Sequence, residues 1–201
     1  MVKVGINGFG RIGRLILRAL LENYKGKIQV VGINDLGSIE TNAHLIKYDS
    51  THGILNHDVK TTGDGFQIGD QNIKVFAEKD PVKLPWGKVG ADVVLECTGF
   101  FLDKDSAGKH IQAGAKKVII SAPAKEVDFT LVQGVNSKEL KKDHNIISNG
   151  SCTTNCLAPV AMVLEKTFGI TYGYMTTIHS YTGDQKLLDT LHKDLRRARA
   201  T

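Results

Sequence analysis

Two cysteines stand in the run SNGSCTTNCLAP, Ser148 to Pro159, where a Ser-Asn-Gly-Ser turn gives way to a helical pattern. Cys152 falls at the expected start of that helix. Unpaired peptide N–H groups and the positive end of the helix dipole favour a thiolate there. A thiolate attacks carbonyl carbon and leaves readily from a thioester, so the position suits acyl chemistry. His179, in MTTIHSYTGDQK, is expected near the end of the following strand. From there an imidazole could reach back as base and form an ion pair with the sulfur. The spacing also permits plainer readings. A free cysteine is commonly a small core residue, and Cys97, between Glu96 and Thr98 in an apolar strand, reads that way. Cys152 and Cys156 share a helix face at i, i+4, but without a partnered Cys/His pair they make a poor zinc site, so no metal is expected. Cys156 is read as packing or as a helper. His44, His52, His57, His110, His144 and His192 are read as surface or satisfied residues.

A second constellation lies at the start of the chain. VKVGINGFGRIGR contains Gly8-Phe9-Gly10-Arg11-Ile12-Gly13, a G-x-G-x-x-G that follows an apolar strand and opens a helix. That context makes it a dinucleotide fingerprint. Gly8 suits the tight turn, Gly10 a close approach of backbone to a pyrophosphate, and Gly13 the packing of helix on strand. The helix N-terminus offers free N–H groups to phosphate. Asp35 ends the second strand, where an acidic side chain accepts hydrogen bonds from ribose hydroxyls and repels a 2′-phosphate. NAD is therefore favoured over NADP.

The elements that must position these residues alternate. Val2 to Asn7 reads as a buried strand. Arg11 to Glu22 reads as a helix with Ile12, Leu15, Ile16, Ala19 and Leu20 on one face. Ile28 to Asn34 is a strand, Ile39 to Tyr48 a helix, and Phe66 to Ala77 a hairpin around Gly69–Asn72. Asp92 to Cys97 is a strand and Lys104 to Ala113 a helix. Val118–Ile120, Phe129–Val132 and Ile146–Ser148 are short strands. The pattern predicts an α/β fold, a Rossmann-type doubly wound, mainly parallel sheet over residues 1–150. Residues 151–201 are expected to begin an α+β catalytic domain and to leave it incomplete. There a long helix carries Leu157, Ala161, Leu164 and Phe168 on one face, with Pro159 expected to kink or loosen it. Ile170 to Ser180 reads as a strand. No internal repeat or low-complexity segment is apparent.

Of the 201 residues, 41% are hydrophobic and 23% charged, ordinary values for a globular protein. No apolar run approaches a membrane span of roughly 18 residues. The chain enters a strand pattern at once, so no signal peptide is expected. Three cysteines are too few for a disulfide framework and favour a reducing cytoplasm. The net charge of +5 gathers partly in HKDLRRARAT. A phosphorylated small molecule accounts for those arginines better than nucleic acid does, and no nucleic-acid motif is present.

INGFGRIGR, SNGSCTTNCLAP and TTIHSYTGDQ together resemble the phosphorylating glyceraldehyde-3-phosphate dehydrogenase family. LIKYDSTHG, LPW and AKKVIISAP match as well, so the resemblance covers the whole chain. DLRRARA fits a bacterial or organellar member. The resemblance implies that Cys152 attacks the aldehyde of glyceraldehyde 3-phosphate and that His179 takes the proton. NAD is then reduced, and inorganic phosphate releases 1,3-bisphosphoglycerate from the thioester. It implies Asn7, Gly8, Gly10, Arg11, Ile12, Gly13 and Asp35 as cofactor contacts, with Lys79 and Ser121 flanking. Ser151, Thr153, Thr182 and Arg197 would line the substrate and phosphate sites, with Arg196 a neighbour, because a planar guanidinium fork suits phosphate. It further implies a cytoplasmic homotetramer and a longer chain, without which these residues alone are expected to be inactive or unstable. Thr190-Leu191 stands where NAD-preferring bacterial members usually carry Leu-Pro, which bears on strict NAD use. Alternatives are an erythrose-4-phosphate dehydrogenase, disfavoured by Asp35 and SAPAK, and a non-catalytic NAD-binding fragment.

Overall fold

The computed structural model describes residues 1–185 and 187–200. The chain divides into two compact units, Met1–Val163 and the segment from Leu164 onward.

The first unit opens with β1 (Val2–Asn7) and α1 (Arg11–Asn23), then β2 (Ile28–Asn34) and α2 (Ile39–Lys47). Ser38 caps α2, its hydroxyl accepting the Thr41 N–H at 3.1 Å. The buried Arg18 of α1 closes the other end of α2, donating to the carbonyls of Ile46, Lys47 and Gly53. Short β3 (Tyr48–Asp49) and β4 (Gly53–Ile54) form a separate ribbon. β5 (Val59–Thr62), β6 (Gly65–Ile68) and β7 (Gln71–Phe76) make an antiparallel meander, with the predicted hairpin joining β6 to β7. β5 is invisible to hydrophobic periodicity because Val-Lys-Thr-Thr carries a single large apolar side chain. α3 (Trp86–Val89), β8 (Val93–Glu96), α4 (Lys104–Gln112), β9 (Lys117–Ile120), β10 (Phe129–Thr130), β11 (Ile146–Ser148) and α5 (Cys152–Phe168) complete the order.

Nine strands make the main sheet, in the order β10-β11-β9-β8-β1-β2-β7-β6-β5. From β10 to β7 every neighbour runs parallel, and the hairpin strands add an antiparallel edge. The chain lays β2 on one side of β1 and β8 on the other, so the winding reverses at β1. This is the doubly wound α/β arrangement that the alternation predicts.

Side-chain alternation splits the core between the two faces of the sheet. Val4 and Ile6 of β1 pack with Leu17, Leu21, Ile33 and Ile46. On the opposite face Gly5 and Gly32 are register partners on adjacent strands. A Cβ at Gly5 would come within 2.7 Å of the Trp86 ring, and one at Gly32 within 3.3 Å. The paired glycines thus make a slot for an indole with no exposed surface. Leu84, Val94 and Ala115 complete this second cluster.

Asp128 ties α4 to the sheet. Its carboxylate accepts the Lys104 ammonium at 2.7 Å and the N–H groups of Asn145 and Ile146 at 2.8 and 2.9 Å. Lys104 first, then those N–H donors, lower its pKa from 3.8 to about 2. A carboxyl depressed by folding contributes stability above its unfolded value, and that contribution is lost as pH falls through the folded one. Thermal unfolding followed by circular dichroism should therefore show a decline between pH 4 and 2. Asp128→Asn should lower the midpoint at pH 7 and remove part of that decline. Parallel acid profiles for the two proteins would refute the assignment.

α5 runs through Pro159, which cannot donate to the Asn155 carbonyl one turn back. Leu157, Leu164 and Phe168, expected on a packed face, are exposed, and no side chain of the helix is buried. Residues 170–180, expected as a strand, carry no regular element. A strand satisfies its N–H and C=O groups on a neighbour, and no described segment pairs with this one. The second unit takes in the last residues of α5 and, among the described residues, one short 3-10 turn, Leu195–Arg197, capped by the Asp194 carboxylate.

Candidate functional site

Where the winding reverses, the ends of β1, β2 and β8 diverge and leave a cleft of about 510 Å³. Crevices at such switch points are the ligand sites of open α/β sheets. Asn7, Gly8 and Gly10 form its floor. Asp35, Leu36, Glu78 and Lys79 line one wall, and Thr98, Phe100 and Phe101 the other.

The three glycines of the fingerprint do different work. Gly8 has φ +89°, and a Cβ on it would sit 2.7 Å from the Thr98 nitrogen. Only glycine allows that turn to press against the end of β8. A Cβ at Gly13 would lie 2.2 Å from the Gly8 carbonyl oxygen, so α1 is seated on the turn. A Cβ at Gly10 would meet no protein atom within 4 Å and would project into open space. Gly10 also caps α1 with no side-chain hydrogen bond, and the first turn holds no acid. The cleft therefore offers an anion a helix N-terminus and a floor stripped of side chain. These features fit a pyrophosphate.

Asp35 is held rigidly, one oxygen accepting the Phe9 N–H at 2.8 Å and the other the Gly37 N–H at 2.9 Å. Arg11 and Ile12 head α1 beyond the floor, with Arg11 ion-paired to Asp49. Ser121 does not line the cleft. It follows the end of β9, its N–H donating to the Glu96 carbonyl at 3.0 Å.

Behind the floor runs a buried polar chain that spacing does not reveal. Asn34 donates to the Asn7 side-chain oxygen at 2.7 Å, and Asn7 donates to Glu96 at 2.6 Å. His110 Nε2 lies 3.0 Å from the same Glu96 oxygen, and the Trp86 indole donates to His110 Nδ1 at 2.9 Å. One sequence signal was available: Val-Gly-Ile-Asn occurs twice, at 4–7 and 31–34. The two copies bring Gly5 beside Gly32 and Asn7 beside Asn34.

Cys152 is the first residue of α5 and is exposed. The preceding Ser151 caps the helix, its hydroxyl accepting the Thr154 N–H at 2.9 Å. Thr153 follows, half-buried. The Asn155 amide pins the approach to the helix through the carbonyls of Asn149 and Ser151. β11, which leads into this turn, lies two strands from β8, and its end faces the same edge as the cleft. Two strand spacings amount to roughly 10 Å. Cys156 is exposed one turn further on. Among the described residues no group of His, Cys, Asp or Glu is placed to hold a metal ion.

His179, Thr182 and Arg197 belong to the second unit. His179 is exposed, with Nδ1 2.5 Å from the Ser180 carbonyl. The Thr182 N–H and hydroxyl both donate to the Gln185 side chain, at 2.7 and 3.0 Å. Arg197 pairs with Asp184, and Arg196 with Asp194 at 3.0 Å.

Residues 2–104 match the family model described as glyceraldehyde 3-phosphate dehydrogenase, NAD binding domain, and residues 151–201 match that of its C-terminal domain. The chain belongs to the glyceraldehyde 3-phosphate dehydrogenase family. It is 57% identical over 199 residues to the glyceraldehyde-3-phosphate dehydrogenase of Xanthobacter flavus. It is 58% identical over 200 residues to that of Geobacillus stearothermophilus, and 56% identical over 200 to glyceraldehyde-3-phosphate dehydrogenase 1 of Bacillus subtilis. Each alignment takes in 99% of this chain and 59% of the relative, so the chain spans about three-fifths of their length. NAD is the cofactor of the matched domain. Residues 105–150, outside both matches, supply β9, β10, β11 and His110 to the dehydrogenase sheet and its buried chain. No helix among the described residues is long and apolar enough to cross a membrane.

Proposed function

We propose that the protein oxidises glyceraldehyde 3-phosphate to 1,3-bisphosphoglycerate, with residues 1–150 as its cofactor domain and 151–201 as the start of its catalytic domain. The observation that carries this reading is Cys152 at the capped N-terminus of α5, on the edge of the sheet where the cleft opens. Peptide N–H groups there favour a thiolate. Its sulfur attacks the aldehyde carbon, and His179 takes the hydroxyl proton from the resulting thiohemiacetal. NAD, when bound, supplies the acceptor for the hydride that leaves that carbon. Inorganic phosphate attacks the thioester, and the sulfur departs as thiolate.

Asn7, Gly8, Gly10, Arg11, Ile12 and Gly13 serve the pyrophosphate end of the cofactor, and Asp35 its ribose. Lys79, which lines the cleft, flanks it. Ser151, Thr153, Thr182 and Arg197 hold the substrate's phosphate and the incoming one. The intact protein is read as a cytoplasmic homotetramer.

The test is the phosphate dependence of NADH formation by protein purified from its native source. Without inorganic phosphate, glyceraldehyde 3-phosphate should give one NADH per active site and then stop at the thioester. Added phosphate should restore steady turnover. Oxidation of erythrose 4-phosphate without phosphate, at a higher kcat/KM, would replace this reading with the sugar-phosphate alternative.

A further inference from the structure

Glu96 and His110 are ionisable, almost wholly buried and absent from the cleft surface. The chemistry proposed above gives them no part. Their hydrogen bonds nevertheless run to both walls of the cleft.

An indole N–H can only donate. Trp86 therefore makes His110 Nδ1 an acceptor, and the ring's proton lies on Nε2, directed at Glu96 3.0 Å away. The neutral tautomer satisfies both bonds. Glu96 then accepts from every side. One oxygen takes His110 and the Asn7 amide, at 3.0 and 2.6 Å. The 3.4 Å approach of the Asn7 amide nitrogen to His110 Nε2 follows from two donors converging on that oxygen. The other oxygen takes the Thr98 N–H at 2.7 Å and the Thr98 hydroxyl. Four donors satisfy a buried carboxylate without a counter-charge.

From Glu96 the order passes outward in two directions. Thr98 fixes the wall that carries Phe100, whose N–H donates to the Thr98 hydroxyl at 3.1 Å. Asn7 passes its orientation to Asn34, which exchanges two 2.8 Å bonds with the backbone of Glu78 on the opposite wall. From Trp86 through His110, and from Asn34 through Asn7, donors run toward Glu96, while the second Asn34 N–H goes outward to the Glu78 carbonyl. A reversed His110 would put N–H against N–H at Trp86 and leave Glu96 one donor short.

We propose that His110, held by Trp86, is a positioning residue that sets the width of the cleft through Glu96, and with it the affinity for NAD. This rests on the dinucleotide reading of the cleft. His110→Phe keeps a ring but removes both bonds, and should weaken NAD binding about tenfold. His110→Gln carries one donor and one acceptor, and should restore affinity to within about twofold. Binding is read by calorimetry at a temperature at which circular dichroism shows each variant folded. A merely structural role would lower the unfolding midpoint and leave the dissociation constant of the folded protein unchanged. That result for His110→Phe overturns the inference.

Two measurements hold even if His110→Phe fails to fold. Trp86→Phe removes the outermost donor along with part of the indole's packing, and at a temperature at which it is folded should weaken NAD severalfold; unchanged affinity counts against the proposal. Nitrogen NMR of the unsubstituted protein should find the His110 proton on Nε2, and a proton on Nδ1 overturns the proposal outright. Absence of NAD binding by the unsubstituted protein would sink the dinucleotide reading and this inference with it. Normal binding with an indifferent His110 would sink the inference alone.

Discussion

Iodoacetamide at neutral pH will alkylate Cys152 at least about a thousandfold faster than Cys97, and about tenfold faster than Cys156. The reagent reacts with thiolate. Burial pushes the Cys97 thiol up to about 12, and the neighbouring Glu96 charge acts in the same direction against a hydrogen bond from Ser121. Compared with a thiol at the ordinary value of 9.0, Cys97 supplies about a thousandfold less thiolate. Cys156 is the sharper control. It is exposed on the same helix as Cys152, one turn further from the N-terminus. Exposure therefore cannot separate the two, and the field at the end of the helix can, because it fades within the first turn. Peptide mass mapping after timed quenching reads all three sites at once. Equal rates at Cys152 and Cys156 would remove the helix terminus as the source of activation, and with it the main support for a nucleophile at 152.

Gly13→Ala will cost about 3 kcal/mol or more of stability and lower the unfolding midpoint by about 6–12 °C. The added carbon would stand 2.2 Å from the Gly8 carbonyl oxygen and 3.1 Å from a methyl of Ile6. The first is backbone, locked by the Gly8 N–H bond to Asn34 and by the contact of Gly8 with Thr98. No rotamer change relieves it. Against a typical total of about 5–15 kcal/mol this is a large loss. Gly10→Ala should behave in the opposite way. Its φ of −73° suits any residue and its Cβ would meet no protein atom. The melt should shift by less than about 0.5 kcal/mol. Affinity for NAD should fall at least about tenfold, since a methyl would stand where a pyrophosphate approaches the backbone. Circular dichroism and calorimetry on the two variants separate a packing glycine from a ligand glycine. A Gly13→Ala protein that melts with the parent would show that the helix seat has slack.

The glycine turn at the floor of the cleft and the cysteine turn were legible for one reason: each is built from residues close together in the chain. Gly8, Gly10 and Gly13 lie within one strand-turn-helix, and Ser151 and Cys152 within one capped helix start. The chemistry of such segments is local, and turn and cap rules apply before any tertiary contact forms. Alternation of apolar strands with helices likewise led to the parallel sheet. The same reasoning failed where a partner was needed. Residues 170–180 have the composition of a strand and pair with no described segment. Leu157, Leu164 and Phe168 have the spacing of a core face and lie exposed. Periodicity records which residues would gain from burial, not whether a surface is there to bury them.

Sequence alone determined the dinucleotide turn, the acid at the end of β2 and the placing of a cysteine on a helix N-terminus. Family membership follows from the same short motifs. Only the tertiary structure decided what stands behind the cleft. Trp86, Glu96 and His110 meet because the parallel register sets Asn7 between Asn34 and Glu96, and because Gly5 and Gly32 leave room for an indole. A hydrogen bond between residues 7 and 96 has no signature along the chain, since it depends on which strands become neighbours and in what register.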